Sequence, residues 1–147
     1  MSAFRLIAGR PVFVLCGAVA LLLAGSGLRA AETFPYDRPL VLDVKPMPPV
    51  KRVPILTVEP GGKATIGLWC KTVLGHAELS GDAIKIEAGP LPDEMPQYMA
   101  AGQCTDDRVK ADEDMLAALT QVTTWRRQGG MVVLTGAAAM KFRPSSN

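Results

Sequence analysis

The hydrophobic pattern along the chain changes period twice. From residue 55, apolar residues come in short runs between turn formers: Ile55-Leu56-Thr57-Val58, a stop at Pro60-Gly61-Gly62, then Ala64-Thr65-Ile66-Gly67-Leu68-Trp69-Cys70. β-Branched and aromatic residues between glycine and proline breakers predict a hairpin. Its second strand is expected to continue or bulge through Val73-Leu74-Gly75-His76-Ala77-Glu78-Leu79, turn at Ser80-Gly81-Asp82 and return as Ala83-Ile84-Lys85-Ile86-Glu87. Ile84 and Ile86 alternate with Lys85 and Glu87, which puts one face in a core and the other in water.

A loop rich in proline, residues 89–96, precedes the first change of period. Met115, Leu119 and Val122 then fall at i, i+4 and i+7, with Leu116 widening the stripe, which predicts one main helix near 106–121. Asp106 and Asp107 suit the positive end of its dipole. Arg108 with Asp112, and Lys110 with Asp114, are i, i+4 pairs with the base first, worth about 0.3 kcal/mol each. The alternating period returns at 122–128, 131–134 and 139–143, divided by Gly129-Gly130 and Gly136. These segments read as a terminal β-meander.

Upstream of residue 55 the pattern is broken by six prolines between residues 32 and 54. Each fixes φ and removes a backbone donor, so this arm is expected to be extended and on the surface. Leu40-Val41-Leu42-Asp43-Val44 is its one stretch suited to an edge strand. The Pro46 to Pro49 element has the spacing of a polyproline ligand but reads more simply as a spacer.

At the N-terminus, Arg5 and Arg10 precede an apolar run from residue 11 to 28 that ends in small residues at Ala30-Ala31. That is the pattern of a secretory signal peptide, residues 1–30, cut after Ala30 or Ala31. Ser26 follows Leu23-Ala24-Gly25 where a lipoprotein would have cysteine, so the expected product is periplasmic or secreted, without a stable membrane anchor. Removal of the segment takes away Arg5, Arg10 and Arg29, and 16 basic residues fall to 13 against 14 acidic ones. The chain then has no basic excess to recruit nucleic acid or an anionic membrane.

Cys16 leaves with the signal. Cys70 and Cys104 remain, and an oxidising compartment favours their pairing, with two buried free thiols as the alternative. Closing a loop of about 34 residues stabilises a domain by about 3 to 4 kcal/mol on the chain-entropy account.

The candidate chemistry is thin. His76 is the single histidine, which excludes a multi-histidine metal site. Six residues of strand would hold it about 20 Å from Cys70, too far for a nucleophile–base pair. Cys104 with His76 is possible by spacing but needs a free thiol. Asp112-Glu113-Asp114 resembles part of a calcium loop, lacks the glycine and terminal glutamate, and reads as a solvated helix face. No catalytic, cofactor-binding or metal residues are assigned, and the chain is read as non-enzymatic with no cofactor.

Taken in order, Trp69-Cys70-Lys71, then Gly81-Asp82-Ala83-Ile84-Lys85-Ile86, Gly102-Gln103-Cys104, Glu113 with Met115, Leu116 and Leu119, then Gly129-Gly130 and Phe142, resemble the META domain family, which includes the heat-shock HslJ-like proteins. The resemblance covers about residues 51–144. Lys71 stands where the family has Asn, Trp69 where it has Gly, and the Met-Ala before the second cysteine is missing. What it implies is an α+β domain, a curved antiparallel sheet or cracked β-barrel with one main helix. The organisation would be signal 1–30, proline-rich arm 31–50 and META-like domain 51–147. The implied role is an envelope stress or binding module whose partner is a protein or an apolar ligand, held near Trp69, Trp125, Met115 and Phe142. The alternative is a small periplasmic protease inhibitor of the metalloprotease-inhibitor barrel type, which the Trp125 to Leu134 stretch also resembles; the arm would then fill a protease cleft.

Overall fold

The computed structural model describes residues 32–94 and 102–146, so the expected signal peptide 1–30 and residues 95–96 of the expected loop lie outside the described residues. Eight strands follow in chain order: β1 Leu40–Leu42, β2 Ile55–Val58, β3 Lys63–Gly67, β4 Thr72–Ser80, β5 Ala83–Ala88, β6 Thr124–Gln128, β7 Met131–Thr135 and β8 Ala139–Pro144. The helix α1, Asp106–Thr120, lies between β5 and β6. Every strand pairs antiparallel with its sequence neighbour, and β1 pairs with β8, which closes an eight-stranded barrel. Closure pairs every strand on both sides, though β5 and β6 meet through only one residue pair.

Alternation drives the assembly. Leu56 and Val58 on β2, Ala64 and Ile66 on β3, Ile84 and Ile86 on β5, and Met140 and Phe142 on β8 all point inward and are buried. Each large apolar side chain so buried contributes about 1.5 to 3 kcal/mol relative to exposure. The tight turns follow from glycine: Gly129 and Gly130 both have positive φ, 57° and 78°, which a two-residue hairpin loop between β6 and β7 needs.

The weakest seam is β5 to β6, a single residue pair, Ala83 with Thr124, flanked by the bonds Ile84 N to Thr123 O and Trp125 N to Asp82 O. The helix sits in the connection across this seam and packs against β5. Its buried face is Arg108, Asp112, Met115 and Leu119. Apolar Met115 and Leu119 join the core, and the Lys110–Asp114 pair at 3.1 Å lies on the exposed side.

Three expectations change. The run from Ala64 to Leu79 is two strands and not one, because Leu68 and Trp69 are both buried at consecutive positions, which a strand facing water on one side cannot provide. The chain turns there, with Leu68 N donating to Lys71 O at 2.8 Å. Leu40–Leu42 is no edge strand: Leu40 sits between Leu56 and Pro144, and Val41 between Ile55 and Arg143. Nor does the whole arm lie on the surface. Phe34 is buried edge-on against Trp125, ring centroids 5.2 Å apart, and the Arg127 amide donates to Glu32 Oε2. Prolines that cannot sit inside a sheet flank β1 and do not interrupt it.

Candidate functional site

The Leu68-Trp69-Cys70-Lys71 turn is the point where the polar groups of the fold converge. It begins with the cysteines. Cys70 is fully buried, and Cys104, two residues ahead of α1, lies at disulfide distance from it, with Cα atoms 5.7 Å and Sγ atoms 2.26 Å apart. The helix that starts at Asp106 is thereby laid against the turn.

Asp112, one helical turn after Arg108, is fully buried and aims its carboxylate at the turn's backbone. Oδ2 accepts from Lys71 N at 2.9 Å, and both oxygens accept from Cys70 N at 3.2 Å. Burial pushes this carboxyl above the ordinary aspartate range, and the amide donors of Lys71, Cys70 and Trp69 pull against that shift. Arg108, also fully buried, serves the opposite polarity: Nη2 donates to Trp69 O at 2.5 Å, and Nη1 donates to Met47 O and, at 3.2 Å, to Val50 O. Burial lowers its guanidinium pKa. Arg52 grips the turn from the other side, Nε to Leu68 O at 2.7 Å and Nη2 to Lys71 O and Thr72 Oγ1. The Lys71 ammonium, nearly buried, donates to Pro92 O at 2.5 Å. Trp69 Nε1 and Arg108 Nε are buried without a partner, each an outlay of about 1 to 3 kcal/mol.

This is a structural junction with functional reach, and it holds no reacting pair. The two cysteine sulfurs lie at disulfide distance from each other and not beside His76. His76 is exposed on β4, across from Lys63 and Glu87, with its ring against the Gly62 turn. Among the described residues no group of three or more His, Cys, Asp or Glu could hold a metal ion. Trp69, Trp125, Met115 and Phe142, expected near a ligand, are all packed in the barrel's core cluster, and Trp125 Nε1 donates to Gly81 O at 2.8 Å. A shallow open depression on the outer surface, over the β5–β6 seam, is lined by Glu78, Lys85, Ile84 and Val122 among others.

Asp112 was expected on a solvated face and is instead buried. The available signal is the helix stripe itself: four residues before Leu119 is Met115, three before that is Asp112 and four before that is Arg108, which places both charges on the core face. Nothing comparable marks Arg52 or Lys71, whose roles depend on a turn that the strand pattern concealed.

No family model matches the chain, and no curated protein or solved structure shows significant similarity to it. Among the described residues no helix is long and apolar enough to cross a membrane.

Proposed function

We propose that this is a non-enzymatic, exported binding module of the META/HslJ-like type that works from its outer surface, in the periplasm or outside the cell. The observation that carries the reading is how the interior is used. Phe142, Leu40, Leu56, Ile66 and Leu134 fill the barrel, and the deepest charges, Arg108 and Asp112, are spent on backbone groups. Buried charges so engaged are unavailable for acid–base work, and recognition falls to surface loops. The placement of Cys104 just ahead of the helix, and of the helix ahead of the last three strands, supports the family likeness. Deleting the gene in its source organism and challenging the cells with envelope stress tests this role. Sensitivity restored by the full chain but not by a chain lacking residues 1–30 is the expected result. Catalytic turnover of an ester, amide or phosphate by purified protein would overturn it.

A second reading, a protease inhibitor, is favoured by one feature: an exposed proline-rich loop, residues 43–50, whose middle is bonded from inside by Arg108. Stoichiometric loss of a secreted protease's activity on titration with the protein would select this reading.

A further inference from the structure

Arg108 is an expensive residue to bury. Its guanidinium stays cationic in proteins, it is fully buried, and among the described residues no carboxylate makes a direct ion pair with it, although Asp112 one turn on favours its charge through space. Truncating it alone would leave the carbonyls of Met47, Val50 and Trp69 without this donor, and an unmade buried partner is costly. What the arginine supplies is a link between three segments: it sits on α1, donates to Trp69 O in the turn, and donates to Met47 O and Val50 O in the loop between β1 and β2.

The loop so held is otherwise exposed. Val44, Lys45, Pro46, Pro48 and Pro49 face solvent, while Met47 packs against the core. Its entry is tied by Asp43 N to Lys141 O at 2.8 Å, and Leu42 N reaches across to Pro54 O at 2.9 Å. Both ends and the middle are therefore fixed and the rest is presented. A segment ordered before binding loses less entropy in a complex. Its chemistry is specific as well. Lys45 has no ion-pair partner among the described residues. The bonds Lys45-Pro46, Met47-Pro48 and Pro48-Pro49 place a ring, with no N–H, on the leaving-group side. Such bonds are poor substrates for endoproteases, so a cleft can hold this loop without readily cutting it.

We propose that loop 43–50 is a recognition loop for the cleft of an endoprotease whose primary pocket carries a carboxylate, with Lys45 entering that pocket and Arg108 as the positioning residue. The proposal rests on the inhibitor reading. An acidic primary pocket selects a basic side chain, and no other residue of the loop is basic.

Trypsin is the probe, titrated with the full mature chain, its disulfide intact, while hydrolysis of a small chromogenic peptide is followed. Stoichiometric inhibition is expected, with residues 43–50 uncut by mass spectrometry. Lys45→Ala should weaken inhibition about a hundredfold, as loss of a central anchor does, without changing the melting temperature. Pro46→Ala should convert the loop into a substrate cut after Lys45. Arg108→Met, if it folds, should keep the core but inhibit more weakly, and Lys110→Ala should behave as wild type. If Arg108→Met does not fold, the two loop variants decide alone. Inhibition that ignores Lys45→Ala overturns the proposal, as does failure to inhibit trypsin. A parallel titration of a secreted metalloprotease separates the two levels: if only that enzyme is inhibited, the inhibitor reading survives and the loop assignment falls, and if neither is, both fall.

Discussion

Asp112 shows how far a single residue's role departs from its local sequence. Flanked by Glu113 and Asp114 it looks like one more solvated acid, yet it alone of the three is buried, and it closes the Cys70 and Lys71 amides. Asp112→Ala should cost about 2 to 4 kcal/mol in urea unfolding, since it leaves two buried N–H groups unmade. A loss under about 0.5 kcal/mol, typical of a surface site, would show that the turn does not depend on it. The pH dependence has a definite sign. Burial raises this carboxyl above its ordinary value of 3.8, so the folded state holds the proton more tightly than the unfolded one. The stability tied to that proton is complete below the unfolded value and is lost as pH rises through the folded one. The stability difference between wild type and Asp112→Asn should therefore shift against wild type across that acid window and then level off. A shift in wild type's favour with rising pH would mean that the amide donors outweigh burial.

At the scale of the element, the helix is the part most legible beforehand. Its apolar spacing located it, and Asp106–Thr120 is what forms. Apolar spacing marks only half of the buried stripe, which continues through the charges Asp112 and Arg108. Leu119→Ala should cost about 2 to 5 kcal/mol, because the side chain is fully buried in the core, and Lys110→Ala should stay within about 0.5 kcal/mol, its ammonium being exposed beside Asp114. Equal losses in denaturant unfolding would mean that the helix does not use this face. Strands were legible where alternation was clean, as in β5 and β8, and were misjoined at residues 68–71. There, consecutive buried residues imitate a strand while the backbone reverses.

For the whole molecule, the Cys70–Cys104 pair ties the β3–β4 turn to the start of the helix that packs against β5. Cys70→Ser should cost about 2 to 5 kcal/mol, and non-reducing peptide mapping of exported protein should recover the linked peptides; two freely alkylated thiols would exclude the bond. Mass spectrometry of the same material should find an N-terminus at Ala31 or Glu32 with no lipid adduct, and a diacylglyceryl mass would refute the proposed export without a lipid anchor. By itself the sequence determined the local periods, the glycine turns, the helix near 106–121 and the one available cysteine pair outside the N-terminal segment. Those depend on neighbours within a few residues, where sterics and alternation act directly. Only the tertiary structure decided that β1 meets β8 and closes the barrel, that Phe34 in the proline-rich arm packs on Trp125, and that Arg108 reaches from the helix to loop 43–50. These contacts join residues about 60 to 100 positions apart: the first satisfies backbone groups of two strands, the second buries two rings against each other, and the third gives loop carbonyls a buried donor, gains that no short window of sequence contains.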